Sequence, residues 1–208
     1  MNGLRFSGRE LRDLAIAWVV LSVAFTVFYF RGPVFDLLNG RAAAEAITAL
    51  GTGVAVSVVT VGVGFLLHEL AHKVIAVRFG QVAEFRADYN MLFLALMAGF
   101  AGFLFAAPGA VYHRGRVTRR EQGLIALAGP VTNVALAIVF APLLLFGGVL
   151  GLIGALGVVI NLLLAGFNMI PFGPLDGKKV LAWNKVVYAA TAVPMIAAGV
   201  FAVFGPGI

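Results

Sequence analysis

The sequence predicts an all-α polytopic membrane protein with five to six transmembrane helices and a re-entrant or β-like membrane-associated segment between its first two core helices. Three observations carry that prediction. Of the 208 residues, 62% are apolar and the mean hydropathy is +1.02, against roughly 45–50% apolar residues in a soluble domain. Only 12% are charged, and runs without Asp, Glu, Lys or Arg recur at the length a bilayer requires. There is no cysteine, which removes disulfides, thiolate metal ligands and cysteine nucleophiles.

Residues 1–13 are polar, and Leu14 to Phe30 is an apolar run long enough for a first span, read as an uncleaved anchor. Ala46 to Phe79 would be about 50 Å long as one helix, so it must tilt, kink or emerge; Gly51, Gly53, Gly62 and Gly64 offer places to bend or to pack closely. Further spans are expected at Gly123 to Leu145, Gly151 to Phe172 and Val186 to Phe204. Met91 to Ala107 is also apolar. If it dips in and returns, one side holds 13 of the 15 Lys and Arg residues, leaving Arg31 and Arg41 opposite; a full crossing would move Arg114, Arg116, Arg119 and Arg120 to the other side. The positive-inside pattern therefore favours five spans and a re-entrant segment, with the charged side cytoplasmic. A net charge of +6 is thereby assigned to the membrane interface and not to nucleic acid, for which no basic tail or aromatic module is present.

Ionisable residues are scarce, so their placement is informative. His68-Glu69-Leu70-Ala71-His72 puts two imidazoles one helical turn apart on a common face, the spacing that lets both bind one Zn2+. Glu69 lies beside them and can accept a proton from a water at the metal. By composition alone this pattern arises about once in a thousand such chains. Three ionisable groups within five residues near a bilayer are expensive without a task. A tetrahedral site needs a third protein ligand, and Asp176 is the best candidate: Pro171, Gly173, Pro174 and Gly177 unwind the chain around it, tolerable at membrane depth only where it faces protein or water. Asn168 carries an amide able to hold an extended peptide backbone or polarise its carbonyl. His113, beside Arg114 and Arg116, reads as a solvated loop residue, and Asn133 as a bridge between helices.

Together His68 to His72, Gly129-Pro130-Val131-Thr132-Asn133 and the Asn168 to Gly177 segment, in this order, resemble the site-2 protease family of intramembrane zinc metalloproteases. The resemblance covers residues 47–180 as the catalytic core of a single membrane domain spanning 1–208, with residues 1–46 and 186–208 as N- and C-terminal additions. It implies one zinc per chain held by His68, His72 and Asp176, Glu69 as general base and Asn168 as a substrate-holding catalytic residue. Gly129-Pro130 is expected at the start of the middle core helix, and Pro108 to Val111 in a membrane-associated strand. The implied substrate is a single-pass transmembrane protein, cut within or near its span by a multi-pass protein of the cell membrane whose site lies nearer the cytoplasm. If the first and last spans flank the zinc cleft, they are expected to gate it.

Rival chemistries fare worse. None of Ser7, Ser22 and Ser57 stands in a Gly-x-Ser-Gly elbow, and only Asp176 lies at a depth suited to an aspartyl dyad. A zinc-binding membrane scaffold or transporter without proteolytic activity is the remaining alternative. Such a protein has no need of a base beside the two histidines, and its polar groups would trace a path across the membrane.

Overall fold

A computed structural model describes residues 3–103 and 108–205. Five of its helices are long and apolar enough to cross a membrane. The first, α1 (Gly8–Tyr29), begins six residues before the apolar run because Ser7 caps it, its Oγ accepting from the Glu10 amide at 3.1 Å. Such a cap is worth about 1 kcal/mol. A short helix, α2 (Arg31–Leu38), turns the chain back.

The second apolar stretch is one 36-residue helical unit, Ala43–Arg78. It comprises α3 (Ala43–Ser57), a π-helical turn at Val58–Gly62 and α4 (Val63–Arg78). The wider turn frees backbone groups from the regular ladder, a disruption common at functional sites. Trp18 of α1 answers it, its indole donating to the Val58 carbonyl at 3.1 Å. Gly62 gives the indole room, since a Cβ there would overlap the Trp18 ring. Thr26 of α1 also bonds Ser57 across the same contact at 3.1 Å.

The chain then forms β1 (Val82–Ala87), the apolar helix α5 (Tyr89–Ala101) and β2 (Gly109–Arg114). The strands pair antiparallel, Phe85 opposite Val111 and Ala87 opposite Gly109. The Asp88 amide donates to the Pro108 carbonyl at 2.9 Å, so the chain leaves the sheet at α5 and returns to the same point. That is the re-entrant segment expected from the charges. Residues 104–107 of its expected range lie outside the described residues.

The middle core helix, α6 (Arg119–Phe140), opens with a reciprocal Thr118–Glu121 capping box and continues into a 3-10 turn, Ala141–Leu145. Gly129 and Pro130 therefore lie inside this helix, not at its start: the capped polar residues 119–122 extend it ahead of its apolar part. The next span, α7 (Gly148–Asn168), ends four residues before the expected Phe172, where Pro171 and Pro174 withhold amide donors. Asp176 consequently opens a separate short helix, α8 (Asp176–Trp183), instead of ending the span. Asn184 caps α9 (Lys185–Phe204).

Apolar packing fixes these pieces. Leu14, Ala17 and Leu21 of α1 meet Phe65, Phe85, Leu92 and Ala95, joining α1, α4, the sheet and α5. Phe25, Val56, Val61, Leu156 and Ile160 join α1 and the π-turn to α7. Ala126, Met169, Val180 and Ala192 join α6, α8 and α9. The N-terminus, both strands and α8 thus lie at one end of the bundle, and the α2 and Gly147 turns at the other.

The cysteine-free chain suits a direct test. Single cysteines at Arg9, Arg116 and Asn184 should react with an impermeant thiol reagent from one side of sealed vesicles, and those at Asn39 and Gly147 only from the other. Labelling of Arg116Cys from the side opposite Arg9Cys would establish a sixth crossing.

Candidate metal centre and its cavity

His68 and His72 lie on one face of α4, both buried, with ring centroids 4.6 Å apart. Their orientations are set by what each Nδ1 meets. His72 donates to the Ile125 carbonyl at 2.7 Å, and that oxygen can only accept. His68 donates to Asn133 Oδ1 at 2.6 Å. The amide sense of Asn133 is fixed because its Nδ2 donates to the Gly64 carbonyl at 3.2 Å and to Asn161 Oδ1 at 2.9 Å. Both imidazoles therefore carry hydrogen on Nδ1 and turn Nε2, the atom a metal would take, toward a common point.

Those two Nε2 atoms are 3.0 Å apart. Asp176 Oδ2 completes the group at 3.4 Å from His68 and 3.1 Å from His72. The three residues form a cluster whose ligand atoms all lie within 4.8 Å of one another, and all three are buried. Three converging lone-pair donors repel one another unless a cation lies among them, and the donor set of two imidazoles and a carboxylate suits zinc. The backbone makes room for it. A Cβ on Gly129 of α6 would stand 2.5 Å from both Nε2 atoms, so only glycine lets α6 pass this close to the imidazole tips.

Asn133 is thus more than the helix bridge expected of it: it orients His68 while tying α4, α6 and α7 together. Asn161, fully buried and donating to the Gly157 carbonyl at 2.8 Å, was not legible as a site residue. It has no local motif, and its role appears only once α7 is packed against α6.

A cavity of about 120 Å³ opens on the triad. His68, Glu69, His72 and Asp176 line it together with Pro108 to Val111 and His113 of the β2 segment and with Asn168 and Leu175. The expected site residues therefore converge. Asn168 spends its Nδ2 on the Leu164 carbonyl at 3.0 Å. Lys179 approaches Asp176 Oδ1 at 3.4 Å, favouring the ionised carboxylate. Leu21 of α1 also reaches the cavity, whereas no residue of α9 is among its lining, so the first and last spans do not flank it symmetrically.

His113 departs from its expected place. It is a strand residue on β2, on the half-buried face with Gly109 and Val111, and it lines the cavity. It lies outside the ligand cluster. Burial, then the Lys179 ammonium and His72, hold its imidazole below the usual histidine pKa, so the ring is neutral at pH 7. Its sequence neighbours are basic, which hid the alternation of the strand.

The sheet is positioned by carboxylates on α1. Glu10 Oε1 accepts from the Phe85 amide at 3.0 Å, and Asp13 Oδ2 from the Ala87 amide at 3.4 Å. Glu10 also pairs with Lys73, the residue after His72, and both are 1% exposed. One carboxylate thus ties α4 to the strand. In an antiparallel ladder a residue's two backbone groups point the same way. Because Phe85 and Ala87 face α1, their partners Val111 and Gly109 face away from β1. The unpaired edge of the sheet is therefore that of β2, and Val111 lines the same cavity as Glu69.

No family model matches the chain, and no solved structure does. Two curated proteins are similar. One, from Methanocaldococcus jannaschii, is 44% identical over 201 residues, covering 94% of this chain and 95% of its own length, and is named "Putative zinc metalloprotease MJ0611". The other, "Putative zinc metalloprotease YwhC" of Bacillus subtilis, is 31% identical over 145 residues, 60% of this chain and 66% of its own.

Two substitutions test the metal centre apart from any activity. Gly129→Ala and Asn133→Leu should each lower zinc affinity by on the order of 10- to 100-fold, read by competition with a chelator, with helix content unchanged. Wild-type affinity in Gly129→Ala would show that the ion sits elsewhere.

Proposed function

The chain belongs to the zinc metalloprotease family of these relatives, and on that premise we propose that it is an intramembrane zinc endopeptidase of the site-2 type. It hydrolyses a peptide bond within or next to the membrane span of a single-pass protein. The observation that carries this reading is the position of Glu69: a buried carboxylate beside the triad, on a cavity that the free-edged strand β2 also lines.

His68, His72 and Asp176 would hold the zinc through the two Nε2 atoms and a carboxylate oxygen. Bound there, the ion supplies Lewis acidity to a water and to the scissile carbonyl. Glu69 accepts the water's proton as its oxygen bonds to the carbonyl carbon. It returns that proton to the amine nitrogen as the C–N bond breaks.

A substrate helix hides its carbonyls in i to i−4 bonds and must unwind to be cut. The edge of β2 offers the replacement bonds, through the backbone groups of Gly109 and Val111, and the strand-addition mode suits an extended peptide. With the outer face of β1 occupied by Glu10 and Asp13, one edge alone is open to it. Asn168, across the cavity, holds the other side of the peptide. The Lys- and Arg-rich end of the bundle faces the cytoplasm, and His68 lies about 15 Å along α4 from Arg78, so water reaches the site from that side.

The test is Glu69→Gln in purified protein with a single-span substrate. About one zinc per chain should remain, while cleavage falls by at least about 100-fold. Zinc in both proteins with no cleavage by the wild type across a panel of substrates would favour the scaffold or transporter. Equal cleavage by Glu69→Gln would remove Glu69 as the base.

A further inference from the structure

The cavity contains one polar side chain that the proposed reaction does not use. His113 Nδ1 is buried and has no hydrogen-bond partner among the described residues. The other polar groups of the wall are accounted for: Asn168 Nδ2 is given to Leu164, Lys179 to Asp176, and Gln122 sits exposed at the rim. A buried polar atom left without a partner is costly, and here it belongs to a residue on the wall of a cavity that a guest must enter.

Its setting restricts what it can do. His113 lies two residues along β2 from Val111, which lines the cavity with Glu69, and its side chain shares the half-buried face with Gly109 and Val111. A peptide laid along the free edge of β2 would therefore run past both Glu69 and His113. Burial, then the Lys179 ammonium, opposes a positive charge on the ring. A neutral imidazole is a single N–H donor and neither a second base nor a fourth ligand, and His113 lies outside the cluster of His68, His72 and Asp176.

The scissile carbonyl oxygen gains negative charge as water adds to its carbon, and Glu69, which carries the water's proton, offers that oxygen no donor. Hydrogen-bond donors aimed at that oxygen stabilise the transition state more than the ground state. Resting on the protease reading above, we propose that His113 is a further catalytic residue, donating a hydrogen bond from the β2 wall to the scissile carbonyl oxygen as the tetrahedral intermediate forms. It moves no proton: Glu69 carries the proton from water to the departing amine, and His113 keeps its own throughout.

The role separates from a structural one by what it changes. His113→Phe keeps a flat ring of similar size without a donor, and His113→Gln restores a neutral N–H. In purified full-length protein with a single-span substrate, His113→Phe should keep about one zinc per chain and a KM within about threefold of wild type, while kcat falls about 100-fold. His113→Gln should recover part of that loss. A phosphinic peptide, which mimics the tetrahedral intermediate, should lose about the same 100-fold in affinity for His113→Phe. Affinity for uncut substrate, measured with Glu69→Gln present in both proteins, should stay unchanged. The inference is overturned if kcat of His113→Phe stays within threefold of wild type, if the loss falls on KM alone, or if zinc is lost with activity. A wild type that cuts nothing removes the protease reading and this inference together; a wild type that cuts, with His113→Phe equally active, removes this inference alone.

Discussion

Two imidazoles and a carboxylate with their lone pairs aimed at one another, buried among apolar helices, are the constraint around which the rest of the chain is arranged. Their spacing comes from one turn of α4, but a turn of helix does not by itself orient a histidine. Orientation comes from α6, through the Ile125 carbonyl and the Asn133 amide. These two acceptors hold hydrogen on both Nδ1 atoms and leave Nε2 free for a metal. Gly129, one turn before Asn133, lets α6 approach closely enough for both bonds to form. The break after α7 brings Asp176 to the third position. Buried polar groups are tolerable in such a place because each has a partner in the chain or a cation to share.

A second set of polar contacts fixes the sheet to that centre. The buried Glu10–Lys73 pair joins α1 to the residue after His72, and the same carboxylate holds β1 through Phe85. Removing one partner of such a pair costs about 3–5 kcal/mol, far more than an exposed ion pair contributes. Among the described residues the arrangement leaves one strand edge unpaired, that of β2, on the cavity lined by Glu69. α1 is therefore part of the framework around the candidate site, clamped at Trp18, Thr26 and Glu10, although by sequence it reads as a terminal addition.

How much of this is legible in the sequence depends on the range of the interaction. His68, Glu69 and His72 declare themselves because one helix turn sets their spacing, and Asp176 because prolines and glycines mark an unwound segment. The five spans and the returning segment follow from hydropathy and from the side on which arginines collect. The ends of elements were less accessible. Ser7 and Thr118 extend α1 and α6 into polar sequence through caps, which a hydropathy reading ignores. Pairs brought together only by packing leave no local trace, as with Asn133 and Asn161 or Glu10 and Lys73. His113 was misread for a related reason: a two-stranded sheet of six-residue strands has too few alternations to stand out among basic neighbours.

The central claim is that the buried cluster exists to hold zinc, and X-ray absorption at the zinc edge of the purified protein tests it most directly. The account predicts about one zinc per chain with two imidazole nitrogens at about 2.0–2.1 Å and the remaining positions filled by oxygen. An oxygen-only shell, or protein that takes up no zinc while fully folded, would contradict it.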